Sequence, residues 1–227
     1  MNFLNSSYQN DRSIFYWLMI LTVMTFLMIL IGGLTRLTES GLSMVDWQPI
    51  LGFLPPLTND DWIKVFSDYK DSPEFIIKNS QMNLNEFKFI FWWEWFHRFF
   101  ARCIGLVFII PMIYFIYKKK ISKKLFLNLS ILFIFGLFQA VVGWWMVKSG
   151  LDQNPYVSSY RLAFHLTNAV IILSILLWMS LNAISILEIK FFPNKSLEYY
   201  YFTLIILLLL TIISGAFMAG SHAGQSF

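Results

Sequence analysis

Phe89-Ile90-Phe91-Trp92-Trp93-Glu94-Trp95-Phe96-His97-Arg98-Phe99-Phe100-Ala101-Arg102 runs directly into the apolar stretch Cys103–Tyr117. Cys103–Tyr117 is too short to cross a hydrocarbon core by itself, since a spanning helix takes roughly 20 apolar residues. Joined to the aromatic run before it, the segment is long enough. Glu94, His97, Arg98 and Arg102 then lie inside the span. A charged group at the bilayer centre costs about 2.5–3.5 kcal/mol on insertion scales, and less near the surface. Groups kept at that cost usually serve a function.

The rest of the chain decides whether a membrane is its solvent. Apolar residues make up 57% and charged residues 13%, with 24 Phe and nine Trp. A soluble domain carries about 25% charged residues. Ser13–Thr35, Leu125–Val147, Leu162–Leu187 and Tyr199–Ala219 are each long and apolar enough to span without help. The sequence therefore predicts an all-α polytopic membrane bundle of about five spans. Nothing in it resembles a basic nucleic-acid surface. Asp11 and the short leader before Ser13 argue against a transit peptide, and the first run is too long for a cleaved signal. Cys103 is the single cysteine, so no intramolecular disulfide or CxxC site exists, and the thiol reads as a small buried hydrophobe.

Lysines set the orientation. Lys118, Lys119, Lys120, Lys123 and Lys124 fall in one short loop, which the positive-inside rule places in the cytoplasm. The N-terminus and the Glu188–Glu198 loop share that side. Arg36–Lys88, Lys148–Tyr160 and the C-terminal end face outward. The Arg36–Lys88 loop holds eight acids against five bases. Its apolar pieces, such as Asp61-Trp62-Ile63-Lys64-Val65-Phe66, read as short amphipathic helices at the interface. Pro49, Pro55, Pro56 and Pro73 divide it.

There are three histidines. On this topology the second and fourth spans both run inward. His97 lies about five residues into one and His165 about four residues into the other, so their imidazoles have similar depth near the outer surface. Such a pair is what a bis-histidine haem in a helical bundle requires. The plain alternative, local hydrogen bonding of each ring, stays open on spacing alone. Arg36, Arg98 and Arg161 collect at the same outer rim, against the positive-inside rule, and would suit the two propionates of a haem. Arg98 can instead pair with Glu94 at i,i+4. His222 reads as a loop residue, the ten Met as core filling, and Trp92-Trp93 and Trp144-Trp145 as interface anchors.

Gly32-Gly33-Leu34-Thr35-Arg36-Leu37-Thr38-Glu39-Ser40-Gly41-Leu42-Ser43-Met44-Val45-Asp46-Trp47 resembles the first span and first outer loop of haem A synthases, closest to the mitochondrial and proteobacterial branch. Pro73-Glu74-Phe75, Asn85-Glu86-Phe87-Lys88-Phe89-Ile90 and Glu94-Trp95-Phe96-His97-Arg98 resemble the rest of that loop and the Glu-x-x-His-Arg signature. Gln139-Ala140-Val141-Val142-Gly143-Trp144-Trp145-Met146-Val147-Lys148-Ser149-Gly150-Leu151 resembles the third-helix motif, and Arg161-Leu162-Ala163-Phe164-His165-Leu166 the fourth. The branch with a cysteine pair in the first outer loop is excluded.

The resemblance implies an oxidoreductase that converts a methyl of haem O to a formyl group, giving haem A for cytochrome oxidase. It implies eight helices in two similar four-helix halves, with the substrate haem between His97 and His165 in the front half and a catalytic role for Glu94. The haem b of the back half has no ligands in this sequence. Residues 1–187 would be the substrate-haem half and 188–227 the first helix of a truncated second half, because Ile213-Ser214-Gly215 and Gly224 loosely repeat Ile31-Gly32-Gly33 and Gly41. Activity of this front part alone stays in question. Expected partners are haem O, membrane lipid, an electron donor and haem O synthase; the expected location is the bacterial inner membrane. Two other readings stay open, a b-type haem electron carrier and a haem-free transporter or oxidase assembly factor.

Overall fold

The computed structural model describes residues 11–46, 51–152, 154–184 and 195–221. These form seven α-helices: α1 (Arg12–Leu37), α2 (Asn59–Lys70), α3 (Pro73–Ile77), α4 (Leu84–Tyr117), α5 (Lys123–Leu151), α6 (Ser159–Asn182) and α7 (Lys195–Ser221). Of these, α1, α4, α5, α6 and α7 are long and apolar enough to cross a membrane. The chain is a multi-pass helical membrane protein, as its apolar runs predict. His222, the proposed boundary at residues 187–188, Trp47 and Pro49 lie outside the described residues.

Local chemistry sets the helix ends. The side chain of Asn83 accepts from the Asn85 and Glu86 backbone N–H groups, and Glu86 returns a bond to the Asn83 N–H at 2.8 Å. This capping box starts α4 five residues before the aromatic run that the sequence marked. α4 is therefore 34 residues long, about 51 Å at 1.5 Å per residue. Phe87, Ile90 and Phe91 in its first turns pack with Trp62, Phe66 and Tyr69 of α2 in a small core of their own. The amphipathic piece around Trp62 is thus a helix laid on the start of α4, itself begun by a Thr58–Asp61 capping box. α1 and α4 end alike. Glu39 and Lys119 adopt positive φ, and Ser40 and Lys120 donate back to the carbonyls of Thr35 and Phe115, the bonding pattern that closes a helix C-terminus.

α1 packs on α4 and α6, and α5 packs on α6. A stacked Phe108–Phe133 pair joins α4 to α5 and closes the ring of four. α4 and α6 are not among the closely approaching pairs and stand at opposite corners. α7 packs outside the ring, on α6. Its Gly220 lies so close to Ser159 that a Cβ there would stand 2.6 Å from the Ser159 Cα.

The main core is confined to one half of the ring. Ile14, Trp17, Leu18 and Leu21 of α1 meet Phe108 and Phe115 of α4, Leu125, Leu129 and Leu132 of α5, and Ile172, Leu176 and Met179 of α6. Trp17 Nε1 donates to the Val107 carbonyl at 2.8 Å, so its one polar atom is satisfied within that core. The lysine turn closes this end, where Lys120 pairs with Asp11 at 2.9 Å. Cys103 is half-buried, less enclosed than its apolar setting predicts. The opposite half, under α2 and α3, holds the buried carboxylates Glu74 and Glu94.

One of these is Glu74 of α3, 3% exposed. Tyr69 donates to its Oε2 at 3.0 Å, and Asn79 Nδ2 donates to the Tyr69 oxygen at 2.8 Å. Burial pushes the Glu74 carboxyl up to about 7; the Tyr69 bond and Lys78 oppose this, while Glu94 and Glu39 add to it. Between about pH 4.5 and 7 the folded chain keeps a proton that the unfolded chain has lost, so stability falls as pH rises through that window. We expect thermal unfolding in detergent to shift to lower temperature from pH 5 to pH 8, and Glu74→Gln to flatten that part of the profile. An unchanged pH dependence in the variant would remove Glu74 as its source.

Candidate functional site

The half of the ring without an apolar core contains both histidines of the described residues. His97 lies on α4 and His165 on α6, the two diagonal helices. Both imidazoles are half-buried.

The two neighbouring helices leave room for these rings. A Cβ on Gly32 of α1 would stand 3.3 Å from His97 Nε2, and one on Gly143 of α5 would stand 3.0 Å from His165 Cε1. Each imidazole is thus laid against a stretch of bare helix backbone. His165 Nδ1 is buried and has no hydrogen-bond partner. On the other edge of the same ring, Gln139 Nε2 lies 3.4 Å from His165 Nε2 and donates to the His165 carbonyl at 3.1 Å. Asn168, 5% exposed, donates to Gln139 Oε1 at 2.7 Å. A buried polar atom without a partner costs free energy and is uncommon in a finished core. Two imidazoles at opposite corners, with glycine walls and an unsatisfied ring nitrogen, fit the demands of a flat, iron-bearing ligand between them.

Glu94 lies one turn before His97 on α4. Its carboxylate is 2% exposed and engaged at both oxygens. Oε2 accepts from Ser43 Oγ at 2.7 Å and from the Met44 N–H at 2.8 Å; Oε1 pairs with Arg98. Arg98 also donates to the Met44 carbonyl at 3.1 Å. The Glu94–Arg98 pair expected as one alternative is present, and it fastens the 40–46 segment to α4. The other two arginines take carbonyl partners. Arg36 donates to Ala219 of α7 at 2.7 Å, and Arg161 donates to Trp145 at 2.7 Å with its guanidinium 4.4 Å above that indole. The structure therefore brings His97, His165, Glu94 and Arg98 to one end of the ring, and sets Arg36 and Arg161 at the helix junctions around it.

Gln139, Asn168, Gly32 and Gly143 were given no role by the sequence reading, although three of them fall inside quoted motifs. The signal was present: an amide in the middle of an apolar span is costly unless it has a partner.

Comparison with known proteins agrees with the motifs. The chain is 41% identical to the haem A synthase of Nitrosospira multiformis over 96% of its length, 40% identical to that of Parvibaculum lavamentivorans over 99%, and 43% identical to that of Flavobacterium psychrophilum over 95%. The matched parts are 62%, 64% and 64% of those relatives, so the chain spans just under two thirds of their length. No solved structure matches it. The profile of the cytochrome oxidase assembly proteins, COX15-CtaA, matches residues 15–227. With that match over nearly the whole sequence, the chain belongs to the COX15-CtaA family of cytochrome oxidase assembly proteins.

Proposed function

We propose that this chain forms the haem O-binding part of a haem A synthase, an inner-membrane oxidoreductase that turns one methyl of haem O into the formyl group of haem A. The observation that carries the proposal is the pair of imidazoles on diagonal helices, each backed by a glycine of a third helix. His97 and His165 would ligate the iron of the substrate from its two faces. Residues 1–187 would be the substrate-haem half and 188–227 the start of a second half, whose own haem b lies beyond the described residues. The electron donor and a haem O-supplying enzyme would be its functional partners.

The chain's own residues do the rest. The apolar ring walls exclude water around the ligand. Arg98 lies beside His97 as a fixed cation suited to a propionate, and Arg36 and Arg161 complete a basic rim. Converting a methyl to a formyl takes an oxygen atom from water and gives up four protons and four electrons (R–CH3 + H2O → R–CHO + 4 H+ + 4 e−), the electrons passing to an oxidant from outside the chain, and it draws positive charge onto that carbon. Glu94, three residues before His97, shares its helix face. A carboxylate held at both oxygens is well placed to act as a fixed negative charge beside that carbon. An anchoring role alone is the competing reading, favoured by the Ser43, Met44 and Arg98 contacts.

His97→Ala and His165→Ala should each abolish or strongly weaken haem retention, read from the Soret band of purified protein, while His222→Ala should retain it. Bleaching by His222→Ala with a normal spectrum in His165→Ala would reverse the assignment. Glu94→Gln is best read in a chimaera that continues this chain with the remaining third of a relative. We expect retained haem and conversion slowed by about 10²-fold, with haem O or a hydroxylated product accumulating. A normal haem A yield would leave Glu94 with anchoring alone.

The proposed orientation puts the lysine turn in the cytoplasm and the histidine end outside. A reporter fused after Lys124 should be active only as a cytoplasmic reporter, and one fused near Asp68 only as an external one. The opposite pattern would move the haem site to the inner face.

A further inference from the structure

Among the described helices, the ring of four is packed on three sides and open on the fourth. α1–α4, α1–α6 and α5–α6 are close seams, whereas α4 and α5 are not among the closely approaching pairs. α4 and α5 meet at the stacked Phe108–Phe133 pair, with ring centroids 5.7 Å apart. That contact decides which stripes of the two helices face each other. Steps of three and four residues along α4 lead from Phe108 through Gly105 and Ala101 to His97. The same steps along α5 lead from Phe133 through Gly136 and Ala140 to Gly143, against which His165 lies. A Cβ on Gly105 or Gly136 would meet nothing within 4 Å. Ala101, Gly136 and Ala140 are exposed. Small residues that face each other in a membrane bundle normally let the backbones close up. Here they face each other across a slot, which runs about 16 Å along α4 from Phe108 to His97. α7 packs on α6 and leaves the slot uncovered.

Resting on the haem-binding reading, we propose that this slot between α4 and α5 seats the prenyl chain of the substrate. Haem O carries a hydroxyalkyl prenyl chain where protohaem has a vinyl group, on the edge of the porphyrin across from the two propionates. With the propionates at the basic rim beside Arg98, the chain leaves the porphyrin in the opposite direction, away from the rim. That direction is the one in which the slot runs, from the histidines to the Phe108–Phe133 floor. The slot is apolar, joins the space between the imidazoles, and is open on its lipid side, so a membrane-dissolved chain reaches it without crossing water. Gly105 and Gly136 are thereby specificity-determining positions, small because the chain passes over them. A prenylated haem fills the slot, and protohaem leaves it empty.

The test uses the full chain in lipid nanodiscs, freed of haem and titrated with haem O and, separately, with protohaem, affinity being read from the Soret band. Gly105→Leu and Gly136→Leu put bulk into open space, so no neighbour has to move. Each should weaken haem O binding by about tenfold, the scale of overpacking. Each should leave the affinity and spectrum of protohaem at wild-type values, which also reports an intact fold. Ile110→Phe, on α4 but off the stripe and 63% exposed, should change neither. Equal losses for the two haems would overturn the proposal, because the added bulk would then be disturbing the histidines. Unchanged haem O affinity in either glycine variant would also overturn it, leaving the slot to a lipid chain or to another helix. If wild type binds neither haem, or if His97→Ala and His165→Ala bind protohaem as wild type does, the haem-binding reading falls and this inference with it.

Discussion

One buried carboxylate holds the histidine end of this protein together. Glu94 sits on a membrane helix at 2% exposure, where a charge is expensive. It is compensated in full by Ser43, the Met44 N–H and Arg98. A charge so compensated is a fastener. Removing any one donor would leave the others around an unbalanced anion, and loss of one partner of a buried pair is far costlier than the pair is worth. The 40–46 segment is thereby fixed to α4 immediately beside His97. α1, which leads into that segment, is drawn to the same place, with Gly32 against the imidazole.

This fastening suits the division of the ring into two unlike halves. The lysine end is packed with Trp17, Phe108, Leu129 and their neighbours, and derives its stability from apolar contact. The other end has no comparable core. It carries imidazoles, amides and an ion pair, held by hydrogen bonds and covered by α2 and α3. A bundle that packed tightly along its full length would have no room for a flat ligand. One that was loose along its full length would not hold two imidazoles at opposite corners.

Much of this was legible in the residues. Five apolar runs became five long helices because a hydrocarbon solvent forces backbone groups to pair within each segment. Glu94, His97 and Arg98 stood out because charge in an apolar run is rare. The start of α4 was misjudged, since hydropathy reports an apolar run and not the capping box at Asn83 that begins the helix five residues before it. The arginines were read as a propionate rim from their positions alone, and the carbonyls to which Arg36 and Arg161 donate could not be read there. Position along a helix gives depth but not the direction a side chain takes. Gln139 and Asn168 were visible as polar interruptions of two spans, but their meaning needed the pairing of α5 with α6.

The bare helix wall at Gly143 carries a consequence for how this family can change over time. The distance from a Cβ at that position to His165 Cε1 would be 3.0 Å, tighter than ordinary contact. An alanine there would demand a different ring angle, and with it a different donor at position 139. With His165 held by its proposed role, substitution at 139 or 143 alone is a trap, whereas a paired exchange that keeps the ring seated is passable. Positions 139 and 143 should drift together through sequence space around a fixed histidine.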